Sequence, residues 1–317
     1  MKSVYLTIMM LTAVFMLLLP LTAGGEVAPS ENLPVMGEVV ESETKEPTVK
    51  VLISKSGKVE TFLLADYLFG VVAAEMPALY EEEALKAQAV AAYTYFLGKK
   101  EANLQKDYDI TDDYTIDQAF ITKEAANEKW GSSAATYEAK ISAAVNDVFL
   151  KKVTYNGKPA TTVYHAISFG KTENAADVWG GEYPYLVSVD SSFDKLAENY
   201  ISTKTFSATE INALLSEVVT VTDTTKNCFT NITRTKAGSV KSLTVNGVLI
   251  SGNDLRAALN LRSPDFDISF ENGKYTFTVR GYGHSIGMSQ NGANYLAKQG
   301  KTWEEILLHY YSGCKIE

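Results

Sequence analysis

The hydrophobic pattern divides the chain into three parts. Residues 4–23 are about twenty uncharged, mostly apolar residues, enough to cross the hydrocarbon core of a bilayer as a helix. Residues 24–47 carry Gly, Pro, Ser and Glu with little apolar pattern, which is typical of a flexible linker. Helical and alternating patterns begin at residue 48 and continue to residue 317, so we predict one folded domain over 48–317.

The first apolar run admits two interpretations. A cleaved signal peptide has a shorter apolar region and small residues before its cleavage site. Leu21-Thr22-Ala23 fits that pattern poorly, although Ala23-Gly24-Gly25 leaves cleavage open. We favour an uncleaved anchor over residues 1–23. The expected localisation is the cell membrane, with a single pass and with the folded domain outside the cytoplasm.

The folded part begins with a predicted hairpin, residues 49–53 and 59–62, followed by a helix over 64–75. Leu64, Leu68 and Val71 share one stripe of that helix with Val72 and Glu75. The helix must end near residue 76, because Pro77 disfavours helical geometry in the residue before it. Further helices are predicted at 81–99, 122–128, 136–146, 206–217, 291–298 and 302–310, and strands at 218–222, 229–235, 239–245, 266–270 and 274–280.

This order of elements predicts an α+β fold, with mainly antiparallel strands around one elongated groove and a strand-rich portion at about 200–280. Composition narrows the function. With 29 basic and 38 acidic side chains the net charge is −9, and we find no basic patch, so nucleic acid is excluded as a partner. The 18 tyrosines suit carbohydrate contact, and ordinary β-rich packing equally well. Cys228 and Cys314 could pair or remain isolated buried thiols.

Glu75 is the strongest candidate for chemistry. Burial on the apolar stripe of a helix disfavours an ionised carboxylate, and the negative end of the helix dipole adds to this effect. Both effects raise the pKa, as a general acid requires near neutral pH. The alternative is a structural glutamate that points outward or pairs with a basic side chain.

Two further segments concentrate polar chemistry. In residues 280–292 the glycines lack the spacing of a phosphate loop, and they can instead bend the backbone tightly and bring His284, Ser289 and Gln290 onto a ligand. Residues 164–173 follow a predicted strand and contain Tyr164, Ser168, Lys171 and Thr172. A serine hydrolase needs a nucleophile elbow, which is missing there, so a hydrogen-bonding wall for a sugar is the better functional interpretation. An ordinary polar loop is the alternative.

Several ordered motifs resemble the stage II sporulation protein D family, whose members are lytic transglycosylases of spore-forming bacteria. The resemblance covers the chain from about residue 49 to its end. It is carried by 66–77 (DYLFGVVAAEMP), 83–92 (EALKAQAVAA), 168–173 (SFGKTE), 177–180 (DVWG), 184–186 (PYL), 189–191 (VDS), 261–263 (LRS) and 281–292 (GYGHSIGMSQNG).

The resemblance implies that Glu75 is the catalytic glutamate of an enzyme that cleaves peptidoglycan between N-acetylmuramic acid and N-acetylglucosamine. One carboxyl would act as acid and then as base, and the product would carry a 1,6-anhydro-muramic end. Substrate contacts are expected from Tyr164, Ser168, Lys171, Thr172, His284, Met288, Ser289 and Gln290. The resemblance also implies peptide-free glycan as substrate, and amidase and membrane partners during engulfment of the forespore.

This chain departs from the family pattern at several positions. Family members often carry Arg at the position of Tyr93, Gly at those of Phe169 and Ser285, and Tyr at that of Asn291. Some carry a Cys/His zinc cluster before residues 117–120, but residues 108–120 here have neither Cys nor His, so we predict no metal and no cofactor. Two rival functions remain: a non-catalytic peptidoglycan-binding amidase enhancer, and a structural anchor in a sporulation complex.

Overall fold

The computed structural model describes residues 46–216, 219 and 226–317. The predicted anchor, almost all of the predicted linker, and the strand predicted at 218–222 except Val219 lie outside these residues. No helix within the described ranges is long and apolar enough to span a bilayer. The anchor, the domain boundaries and the membrane localisation therefore stay predictions.

The predicted α+β class is confirmed. In the described part of the chain the helices are α1 (Leu64–Glu75), α2 (Glu82–Ala102), α3 (Lys123–Trp130), α4 (Ala134–Asp147), α5 (Ala175–Val178), α6 (Ala208–Leu215), α7 (Gly252–Ala258), α8 (Gln290–Lys298) and α9 (Trp303–Tyr310). The predicted bounds of α1 are reproduced. Met76 has the extended geometry that a residue before Pro77 prefers, and this ends the helix.

The strands are β1 (Thr48–Ile53), β2 (Lys58–Leu63), β3 (Ile110–Thr111), β4 (Val153–Tyr155), β5 (Lys158–Pro159), β6 (Tyr164–His165), β7 (Ile201–Ser207), β8 (Phe229–Arg234), β9 (Val240–Val245), β10 (Val248–Ser251), β11 (Phe266–Glu271), β12 (Lys274–Arg280), β13 (Met288–Ser289) and β14 (Lys315–Ile316). They form small sheets in the orders β2-β1-β3, β10-β9-β8, β11-β12-β7, β13-β6 and β14-β4-β5. Only the β1–β3 and β6–β13 pairs among the described strands are parallel, so the prediction of mainly antiparallel strands is confirmed.

One predicted helix is wrong at its start. Phe206 and Ser207, assigned to a helix over 206–217, are the last residues of β7, where Phe206 pairs with Tyr275 of β12. The helix begins at Ala208, and the Ser207 hydroxyl caps it by accepting from the Glu210 amide at 3.2 Å. Local pattern indicates a helix here, but the pairing of β7 with a strand about seventy residues later depends on tertiary contacts.

The larger of two hydrophobic cores surrounds α1 and α2. Ala84, Ala87 and Ala91 of α2 are fully buried, and side chains this small allow neighbouring helices to approach closely. Opposite them α1 buries large side chains such as Tyr67 and Phe69. Burial of one such side chain contributes roughly 2 kcal/mol. This core also contains residues of α4, α8 and α9, and it holds the end of α1 in place.

The second core belongs to the strand-rich part of the chain, where β7–β12 pack with α6 and α7. The two cysteines lie in different cores, Cys314 in the larger and Cys228 in the smaller, and both thiols are free and buried. The pairing alternative is therefore excluded. Burial raises the pKa of the Cys314 thiol to about 11, so it stays protonated at neutral pH.

The parallel pair β6–β13 joins the two polar segments that the sequence singled out. Tyr164 pairs with Met288 and His165 with Ser289. Gly287 allows this approach, because its φ is +69° and a side-chain carbon there would lie 2.1 Å from the Val163 carbonyl oxygen. Segments about 120 residues apart in sequence thus form one surface.

Ser285, where the resemblance predicted Gly, has a φ of +62° and a buried hydroxyl without a hydrogen-bond partner among the described residues. We therefore expect Ser285→Gly to raise the free energy of unfolding by about 1 kcal/mol, because it removes left-handed strain and a buried unpaired hydroxyl. Urea denaturation measures the change. A matched Ser216→Gly, at an ordinary helical φ of −57°, should not stabilise the protein. A loss of stability in Ser285→Gly would contradict backbone strain at Ser285.

Candidate active site

A pocket of about 690 Å³ opens where α1 ends. Its walls are the loop before α3, strand β6, the loop before β13, and the first residue of α8. It is lined by Ala74, Glu75, Tyr95, Tyr114, Thr115, Ile116, Asp117, Gln118, Ala119, Val163, Tyr164, His165, Ala166, Trp179, Tyr282, Gly283, His284 and Gln290. The lining mixes aromatic rings with neutral hydrogen-bonding groups.

Glu75, the last residue of α1, places its carboxyl in this pocket. Oε1 accepts a hydrogen bond from the Ala119 amide at 2.8 Å, and Oε2 accepts from Nε2 of Gln290 at 3.4 Å. Burial raises the pKa of Glu75, and the hydrogen bonds from the Ala119 amide and the Gln290 side chain oppose that rise. No basic side chain within the described residues pairs with Glu75, so the structural ion pair considered above is absent from that part of the chain.

A chain of neutral side chains surrounds this carboxyl. The Tyr164 hydroxyl donates to Oε1 of Gln118 at 2.8 Å, and Nε2 of Gln118 donates to the Tyr67 hydroxyl at 2.7 Å. On the other side, Nε2 of Gln290 also donates to Oε1 of Gln88 at 3.4 Å. Because each partner is itself held by another hydrogen bond, the groups around Glu75 are oriented before any ligand arrives.

The second carboxyl in the pocket lining has a different environment. Asp117 accepts a hydrogen bond from the Thr111 amide at 3.0 Å and forms an ion pair with Lys99 at 2.5 Å. The two carboxyls of the lining thus differ in their contacts: Asp117 is engaged by a cation, whereas Glu75 has no basic partner within the described residues and has a raised pKa.

The donor that Ala119 supplies depends on a close approach at Gly70 in the middle of α1. A side-chain carbon on Gly70 would lie 2.2 Å from the Ile121 carbonyl oxygen and 2.5 Å from the Phe120 ring. Only a glycine lets residues 119–121 rest directly on the helix. The loop therefore reaches Glu75 one helical turn further along.

Two histidines form another wall of the pocket, and Ile286 orients both. Its carbonyl lies 3.1 Å from Nδ1 of His165, so that nitrogen carries the proton, and its amide donates to Nδ1 of His284 at 3.1 Å. Burial lowers the pKa of His165 to about 4 and that of His284 to about 3, so both are neutral at pH 7. Trp179 lies over His284 with ring centroids 5.6 Å apart.

Four of the nine residues proposed from the sequence line this pocket: Glu75, Tyr164, His284 and Gln290. The other five do not, and their side chains have internal roles. The Ser168 hydroxyl accepts from the Gly170 amide, and Lys171 donates to the Lys236 carbonyl at 3.2 Å. The Thr172 hydroxyl donates to the Val187 carbonyl and accepts from the Val189 amide. Met288 lies in the larger core, and Ser289 caps α8. The expected sugar-facing wall at 168–172 is thus not part of this lining, which includes residues 163–166 of that stretch of the chain.

The candidate residues inferred from the sequence did not include several residues of the pocket lining, among them Gln118, His165 and Trp179. Trp179 belongs to the DVWG motif at 177–180, and nothing in the local pattern distinguishes Gln118 from the polar residues around it. His165 carried a usable signal, since it directly follows Tyr164 and only three histidines occur in the chain. Its Nε2 is buried without a hydrogen-bond partner among the described residues. No cluster of three or more His, Cys, Asp or Glu able to hold a metal occurs in the described ranges.

Comparisons with known proteins agree with the motifs. A sequence model described as "Stage II sporulation protein" matches residues 53–155. The chain is 38% identical over 286 residues to stage II sporulation protein D of Bacillus amyloliquefaciens, covering 87% of this chain and 82% of the relative. It is 37% identical over 273 residues to the Bacillus subtilis (strain 168) protein of that name, covering 85% and 78%. The amidase enhancer of B. subtilis is 28% identical over 301 residues, which is 78% of this chain and 40% of the enhancer.

We expect Gly70→Ala to destabilise the protein by about 2 kcal/mol in urea denaturation, because the new methyl group overlaps the Ile121 carbonyl. Displacement of the loop also removes the Ala119 donor, so the pKa of Glu75 should rise further in a carboxyl NMR titration. The matched control is Gly98→Ala in α2, where nothing lies within 4 Å and the better helix propensity of Ala should stabilise. Equal behaviour of the two variants would contradict the close approach.

The raised pKa of Glu75 also predicts a pH-dependent stability. A carboxyl whose pKa is higher in the folded state than in the unfolded state contributes full stability at low pH, and this contribution is lost as pH rises through the folded pKa. Glu75→Gln should therefore raise the melting temperature at pH 7, and the gain should disappear near pH 4. Calorimetry of both proteins across this range tests it. A gain of equal size at both pH values would contradict it.

Proposed function

The chain belongs to the stage II sporulation protein D family, and from this premise we propose that it is a peptidoglycan lytic transglycosylase acting in sporulation. The proposal concerns the bond between N-acetylmuramic acid and N-acetylglucosamine in the glycan strand. The supporting observation is the carboxyl of Glu75, which is partly buried, lines the large pocket and has a raised pKa. It has no basic partner among the described residues.

One carboxyl is enough for this reaction. A hydrolysing glycosidase needs a second carboxyl to activate water or to attack the sugar. Here protonated Glu75 gives its proton to the glycosidic oxygen as the bond from that oxygen to the muramic C1 breaks. The muramic C6 hydroxyl then attacks C1 and returns its proton to the Glu75 carboxylate. No water is consumed, and the product has a 1,6-anhydro-muramic end.

The neighbours of Glu75 suit both halves of this cycle. Burial favours the protonated form that begins the reaction, whereas the Ala119 amide and the Gln290 side chain donate to the carboxylate left after proton transfer. The carboxyl therefore occupies an environment in which neither protonation state is strongly trapped. His165 and His284 are neutral at pH 7, so neither supplies this proton.

The same proposal includes the substrate form and the partners. We propose peptide-free glycan strands as substrate, supplied by an amidase during engulfment of the forespore. The similarity to an amidase enhancer supports a link with amidases of the cell wall. A membrane-attached enzyme with its domain outside the cytoplasm would meet this substrate where it lies.

That similarity also favours a second candidate function, a non-catalytic amidase enhancer that binds peptidoglycan without cleaving it. Such a protein could keep the pocket and would not depend on proton transfer by Glu75. The two functions differ in whether the strand is shortened.

The deciding experiment uses the full-length protein in detergent with peptide-free glycan strands and mass analysis of the products. We expect anhydro-muramic ends from the wild type and a loss of roughly 1,000-fold or more in Glu75→Gln, since one residue performs both proton transfers. Glu198→Gln, an exposed carboxyl outside the pocket lining, is the matched control and should cleave normally. Strand binding without anhydro products in the wild type would reject the enzyme and favour the enhancer.

A further inference from the structure

A second pocket, of about 410 Å³, also opens beside Glu75. It shares Ala74 and Glu75 with the large pocket and no other lining residue. The two pockets therefore adjoin at residues 74 and 75, and their other walls are formed by different segments of the chain. The second one lies over the turn after α1 and the facing ends of α3 and α4.

Its floor and rim are apolar and partly aromatic. Trp130 contacts Phe69 and Tyr137 edge to face, with ring centroids 6.1 and 5.7 Å apart, so its orientation is fixed by packing. Leu79 stands at the rim with 74% of its surface exposed, and it belongs to neither core. Rigid aromatic rings and exposed apolar surface suit the C–H faces of sugar rings.

The second pocket also contains the single basic residue that lines either pocket in the described chain. Lys129, in the last turn of α3, is exposed and has no ion pair or hydrogen bond with any described residue. Other lysines of the same region are engaged: Lys123 pairs with Asp66 at 3.2 Å, and Lys86 pairs with Asp147 at 3.0 Å. Lys129 is thus the available partner for an anion bound next to Glu75.

Resting on the proposed function, we propose that this second pocket binds the sugars that continue the glycan strand past the bond at Glu75, and that Lys129 pairs there with the lactyl carboxylate of a muramic acid residue. An internal bond of a polymer can reach Glu75 only if the strand extends from it in two directions. The large pocket receives one side, and the surface of Leu79, Trp130 and Lys129 receives the other.

The charge of Lys129 makes this site selective. The lactyl carboxylate is the anionic group of a peptide-free strand, and attachment of a stem peptide converts it to a neutral amide. Lys129 therefore favours strands without peptides, whereas no Lys or Arg lines the large pocket. Selection for the peptide-free strand would thus be made in the second pocket.

The test compares two strands of equal length, one with free lactyl carboxylates and one in which they are converted to methylamides. We expect the wild-type kcat/KM to favour the free carboxylates by roughly fivefold, the size expected for a partly exposed ion pair. Lys129→Gln should abolish the preference, and Lys123→Gln, on the same helix but outside both pockets, should keep it. Leu79→Asn, at an exposed position, should raise KM for both strands about equally.

Binding of the same strands to Glu75→Gln variants, with and without Lys129→Gln, separates this site from the cleavage reaction. Glu75-dependent cleavage with an unchanged carboxylate preference in Lys129→Gln would overturn the assignment of Lys129 and leave the proposed function intact. Absence of cleavage in the wild type, together with Lys129-dependent binding, would reject the transglycosylase and retain the site. Binding that ignores both Lys129 and Leu79 would overturn the second pocket as a glycan site.

Discussion

The structure depends on one unfavourable placement, a carboxyl set into the end of a buried helix. Glu75 follows a run of fully or nearly fully buried side chains in α1, and burial raises its pKa. The Ala119 amide and the Gln290 side chain lower the cost of ionising it. A single carboxyl that acts first as acid and then as base needs an environment that accepts both its protonated and its ionised form.

The surrounding architecture holds those compensating groups at the carboxyl. Gly70 lets the loop that supplies Ala119 rest on α1, and the β6–β13 pair brings Tyr164 to the strand that leads into α8, whose first residue is Gln290. Both devices use main-chain contact, so the donors do not depend on flexible side chains alone. Most of the framework lies in the larger core, which the packing of α1 on α2 stabilises.

The strand-rich part of the chain is joined to this framework by a buried glutamate. Oε1 of Glu173 accepts hydrogen bonds from the Ser239 hydroxyl at 2.5 Å and the Thr235 hydroxyl at 2.6 Å, and its amide donates to the Ser285 carbonyl at 2.6 Å. The loop that carries His284 is therefore tied to the second core. Ser285 adopts a left-handed conformation within that link, where a glycine would be unstrained.

Local sequence determined what depends on near neighbours. The bounds of α1, the stop before Pro77, most other helices and the strands at 229–280 follow from periodicity and capping, which act within a few residues. Glu75 could be singled out in the same way, since its helical phase and terminal position are local properties. The tertiary structure decided the rest: the pairing of Phe206 with Tyr275, the burial of Ser168 and Thr172 outside the pocket lining, and the presence of Gln118, His165 and Lys129 in the pockets that Glu75 lines. These depend on contacts between segments many residues apart, and no local pattern specifies which distant groups will meet.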